Sequence, residues 1–121
     1  MPIRCLLTVA MSVWACATWA DTTTESSASA AAISEDQVID VDAAQDIFRK
    51  SCRACHGNKA QGASSYPALA DLEPAYIATQ LERYRAGEKI GPNSILMISH
   101  AKRLSDEDIV NISVYVATAF D

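Results

Sequence analysis

Cys52, Cys55 and His56 stand in the run Cys52-Arg53-Ala54-Cys55-His56, two thiols three positions apart with an imidazole directly after the second. On a helical turn, residues three and four apart share a face, so the three side chains point the same way. Two thiols so placed can form thioethers to the two vinyl groups at one edge of a porphyrin. The histidine then projects over the ring and sets a nitrogen on the iron. C-x-x-C-H is the attachment pattern for c-type haem. Covalent attachment keeps the cofactor on an exported protein and removes both cysteines from redox exchange.

Other chemistries fit the same residues less well. A thioredoxin-like pair needs a strand before it and a helix after it, whereas here a helical pattern leads in and a glycine-containing loop follows. A zinc site needs four ligands, and only His100 and acids at no recognisable spacing are left to complete one. A disulfide across so short a loop would staple almost nothing. With His56 on one side of an iron, the other side has two downstream suitors, Met97 and His100, or stays open. A thioether in a dry pocket stabilises ferrous iron and raises the reduction potential, as an electron carrier requires. His100, beside Ser99, Ala101, Lys102 and Arg103, sits in a more polar stretch and is expected to face solvent.

The elements that must position these groups occupy part of a 121-residue chain. Residues 1–20 read as a cleaved export signal: Arg4 is basic, Cys5 to Ala20 is apolar, and cleavage after Ala20 fits best. A lipid-modified Cys16 is an alternative reading. Residues 21–40 are rich in Ser, Thr and Ala with no aromatics, a composition that buries too little to offset ordering entropy, so a flexible tail is expected. The domain is then 41–121. The chain holds 15 acids and 10 bases, and the domain ten and nine, so the acidity lies mainly in the tail. Nucleic acid as a partner is disfavoured, because its binders carry a basic stripe.

Three helices are expected in the domain. The first spans 41–51, with Asp42 and Gln45 as a capping pair and Val41, Ala44, Ile47, Phe48 and Ser51 along one stripe. The second begins at Pro74 and stops at Gly87, with Ile77, Leu81 and Tyr84 on its apolar face. The third runs 105–119, capped by Ser105 with Asp108, and presents Ile109, Ile112, Val116 and Ala119. Two long loops join them, 57–73 and 87–104, the second holding a Gly91-Pro92-Asn93 turn and the run Ile95-Leu96-Met97-Ile98. Large apolar residues are too few to fill a core alone, which points to a bulky cofactor among three helices.

The stretches CRACHGNKAQG, YPALADL, YIATQLERYRAGEK and LMISHAKRLSDEDIVNISVYVA, in that order, cover nearly all of residues 41–121. Together they resemble a class I cytochrome c, in the small bacterial monohaem group that includes cytochromes c5 and c553 and the single-haem halves of cytochrome c4. The resemblance implies an all-α fold round one covalent haem c, with Met97 as the distal iron ligand. It implies that the Pro67 carbonyl orients the proximal histidine, that Ala44 and Phe48 cross the last helix near Tyr115, and that Arg85 and Lys89 lie either near the haem propionates or in solvent. Two features depart from the pattern: GPNSILM replaces the usual acidic-proline turn with paired methionines, and Ala44 stands where Gly is common.

The function so implied is single-electron transfer between larger redox proteins in the periplasm, with membrane association only through a membrane-bound partner. A haem enzyme or gas sensor with a displaceable distal ligand, or a dedicated subunit of a dehydrogenase, would use the same motif differently.

Overall fold

The computed structural model describes residue 33 and residues 36–120. The expected signal, Cys16 and most of the tail lie outside the described residues. Among those described, the architecture is all-α, as expected, with one isolated antiparallel bridge between Ala63 and Tyr66. No helix among them is long and apolar enough to cross a membrane.

The first helical segment continues five residues further than the sequence pattern indicates. Helix α1 (Val41–Ile47) passes through a π-helical turn (Phe48–Cys52) into a short α2 (Arg53–His56). The Arg53 amide bonds back to the Phe48 carbonyl, five residues earlier, and so accommodates one extra residue. The cap also differs from expectation. Asp40, not Asp42, accepts the Ala43 amide at 2.9 Å, and its own amide donates to Asn111 Oδ1 at 3.2 Å. The start of the domain is thereby tied to its last helix. Val41, at the first position of the helix, is exposed, whereas Ala44 and Phe48 are buried.

Helix α3 (Pro74–Arg85) has proline at its first position and ends where Gly87 adopts φ +91°. The Glu88 amide bonds to the Arg83 carbonyl and the Gly87 amide to that of Tyr84, a Schellman closure that satisfies two terminal carbonyls. Helix α5 (Asp106–Thr118) starts at the expected capping box, with Ser105 Oγ accepting from the Asp108 amide at 3.0 Å and Asp108 Oδ2 from the Ser105 amide at 2.9 Å. Ile109, Ile112 and Val116 are buried, while Ala119 is exposed beyond the helix end.

A fourth helix, α4 (Ser94–Ala101), occupies the stretch expected to be loop. Ser94 starts it: its hydroxyl accepts the Gly91 amide at 2.7 Å and donates to the Gly91 carbonyl at 2.6 Å. The run Ile95-Leu96-Met97-Ile98 has no polar face, so its helical period is invisible in the sequence. In the fold, Ser94 and Ala101 are buried and Ile95 and Leu96 exposed.

The core lies where α1 and its π turn meet α3 and α5. Phe48, Tyr115 and Phe120 form a ring cluster with centroids 5.2 to 5.9 Å apart. Ala44, Ile77, Ile112 and Val116 surround it. Beside this core lies a cavity.

Candidate functional site

The cavity has a volume of about 400 Å³, within the range of about 300–1,000 Å³ usual for small-molecule sites. Cys52, Cys55, His56, Pro67, Met97 and His100 all contribute to its lining. The first three arrive together because the π turn adds one residue between Phe48, which faces the core, and Cys52, which faces the cavity. Ile77, Leu81 and Tyr84 of α3, with Ile112 and Val116 of α5, supply apolar lining. Tyr76, Ile90 and Leu96 also line it and are exposed, so the cavity opens to solvent through an apolar mouth.

Both cysteines are free thiols and half-buried. Burial, with a smaller contribution from Cys55, pushes the Cys52 thiol up to about 11. A redox-active C-x-x-C cysteine is the reverse, held low by positive charge or a helix N-terminus. Cys52 is instead a neutral thiol in an apolar wall.

The two histidines have opposite tautomers, each fixed by its neighbour. His56 is buried, and its Nδ1 lies 2.8 Å from the Pro67 carbonyl. A carbonyl only accepts, so Nδ1 carries the proton and the Nε2 lone pair is free to bind a metal. His100 Nδ1 lies 2.8 Å from Arg103 Nη2. A guanidinium only donates, so this Nδ1 accepts and Nε2 carries the proton. His100 is half-buried: α4 carries it on the same side as Met97, where it lines the cavity, while its bond to Arg103 is exposed. Arg85 is engaged elsewhere, with the Leu104 carbonyl at 3.2 Å and Asp106 at 2.5 Å, and Lys89 is exposed and absent from the lining.

The loop 57–73 delivers Pro67, and sequence reasoning missed how. Ala60 is fully buried, and its carbonyl accepts the Leu69 amide at 2.7 Å. The Gly62 amide donates to the His56 carbonyl at 2.7 Å. Gly62 adopts φ +77°, and a Cβ there would stand 2.6 Å from the Ala68 nitrogen and 2.9 Å from the Pro67 carbonyl carbon. The signal available was a glycine six residues after the motif histidine; only its backbone role was hidden.

The donor set and the walls fit a haem: two thiols, one imidazole with a free lone pair and one thioether share an apolar cavity. Comparisons with known proteins agree. A family model for cytochrome c matches residues 41–120. Cytochrome c-554(547) of Halothiobacillus neapolitanus is 36% identical over 87 residues, 65% of this chain and 96% of that protein. Cytochrome c-554(548) of Halomonas halodenitrificans is 41% identical over 69 residues, 56% and 83% of the two chains. Among solved structures, reduced recombinant cytochrome c4 from Pseudomonas stutzeri aligns with a TM-score of 0.58 and 27% identity, over 64% of this chain and 46% of that one. Since the family match runs through the whole folded segment and includes the C-x-x-C-H motif, which implies covalent haem c, this chain belongs to the cytochrome c family.

Proposed function

We propose that the protein is an exported single-haem electron carrier, in which Cys52 and Cys55 form the thioethers and His56 and Met97 ligate the iron. Bound haem supplies the one-electron ferric–ferrous couple. The chain's own residues do the rest. Pro67 holds the His56 ring in the tautomer that presents Nε2. Leu81, Ile112 and Val116 keep water from the ring, which favours the less charged ferrous state. The apolar mouth at Tyr76, Ile90 and Leu96 leaves an edge through which a donor or acceptor exchanges electrons.

The observation that carries the ligand choice is the tautomer of His100. Its lone pair is committed to Arg103, whereas Met97 lines the same cavity and has no bond to break. A carrier with both axial positions filled needs no substrate, and its partners are larger redox proteins of the periplasm. Residues 1–20 direct export, so the mature chain is expected to begin at Asp21.

Met97→Ala tests the reading. Haem is expected to stay covalently attached, the iron to become partly high-spin, and the ferrous form to bind carbon monoxide at least tenfold faster than the parent. A parent that already binds carbon monoxide quickly would favour the enzyme or sensor alternative. Co-purification of the parent with one large dehydrogenase would favour a dedicated subunit.

A further inference from the structure

We infer that His100, polarised by Arg103, is the hydrogen-bond donor that holds a haem propionate at the cavity wall. This rests on the haem reading above. A haem brings two carboxylates, and no Asp, Glu, Lys or Arg is among the residues lining the cavity. Arg85, the nearest expectation from the sequence, is occupied by Leu104 and Asp106. A carboxylate partly withdrawn from water needs a donor, and here the donor is neutral.

Besides His56 and the hydroxyls of Ser51 and Ser65, the lining donors are Tyr66, Tyr76, Tyr84, Gln80, Asn93 and His100. Asn93 gives its amide to the Ser65 carbonyl at 3.3 Å, and the Gln80 carbonyl oxygen takes Arg83 at 3.4 Å. His100 has the closest cation behind it, with Arg103 at 2.8 Å against Arg83 at 3.4 Å from Gln80. The Arg103 guanidinium donates to Nδ1 at 2.8 Å, which forces the proton onto Nε2 and polarises that N–H. Arg103 itself is exposed, so its charge stays hydrated while the imidazole passes the polarity inward. The chain Arg103 to His100 to carboxylate runs donor to acceptor throughout, with no unsatisfied member. The arrangement anchors the propionate without burying a charge beside the ring.

Resonance Raman spectra of the covalently loaded full-length protein test this through the propionate bending mode, which reports hydrogen bonding to the carboxylate. His100→Ala is expected to shift the mode to the position of a solvent-exposed carboxylate, and Arg103→Ala to shift it part of the way. His100→Gln keeps an N–H donor and is expected to restore it. In all three, the far-red absorption of thioether-bound ferric iron should persist. An unchanged mode in His100→Ala that still carries covalent haem overturns the inference and leaves the haem reading intact. Fast carbon monoxide binding by His100→Ala overturns it in another way, by making His100 an iron ligand. Wild-type protein without covalent haem would remove the reading on which the inference stands.

Discussion

At Gly62 a single hydrogen atom is all the space that the backbone of Tyr66, Pro67 and Ala68 leaves. Gly62→Ala combines a strained positive φ with a collision against backbone, which cannot swing aside as a side chain would. Strain of this type costs on the order of 1–3 kcal/mol. In a domain of this size that corresponds to a fall in Tm of at least about 4 °C, read by thermal unfolding of the loaded protein. The variant should also loosen His56, because the displaced segment carries its Pro67 acceptor. The cysteines make a separate prediction. Cys52→Ala or Cys55→Ala should leave one thioether and a lower yield of haem protein, and the double variant none. Intact mass of the denatured chain checks this directly: the bare polypeptide mass in wild-type material would refute attachment.

Among the elements, the π turn has the sharpest consequence. Phe48 must face the Tyr115 and Phe120 rings while Cys52, Cys55 and His56 face the cavity. One inserted residue reconciles the two faces, since each residue of an α-helix turns the face by about 100°. Deleting Lys50, an exposed residue of that turn, should restore regular helix and misalign the two halves. Covalent haem yield is then expected to collapse, although no ligand and no core residue is lost. By contrast, Ser105→Ala should cost about 1 kcal/mol of stability and leave the haem spectrum unchanged, because that cap serves only the start of α5.

These elements also mark what the sequence could and could not reveal. Pro74, Gly87 and Ser105 with Asp108 are local signals, each satisfied by atoms a few residues away, and the helices they bound stand within a residue of expectation. The motif face of Cys52, Cys55 and His56 was equally local. Helix α4 was hidden because its residues are apolar on the exposed side as well as the inner one. The π turn had no compositional mark at all; it answers to the distance between two packing surfaces. The cavity contact of His100 has no mark in the sequence for the same reason, since it is set by a helix that the turn residues Gly91, Pro92 and Asn93 conceal.

At the scale of the whole molecule, charge and cavity are separated. The domain carries ten acids and nine bases, yet none of them lines the cavity or its mouth. Residues 21–40 hold five acids and no base. A mouth bordered by Tyr76, Ile90 and Leu96 exerts little long-range pull, so diffusional encounters there should be nearly indifferent to ionic strength. Stopped-flow reduction by a small cationic reagent separates the two contributions. Between about 0.01 and 0.1 M salt the Debye length falls from about 30 to about 10 Å. Over that range a chain beginning at Gln37, which keeps the Asp40 cap, should change rate less than twofold, and the chain retaining residues 21–36 should slow several-fold. Steering, on this account, belongs to the tail, and selection at the mouth is left to contact: a partner is retained only where its own surface is uncharged and shaped to exclude water.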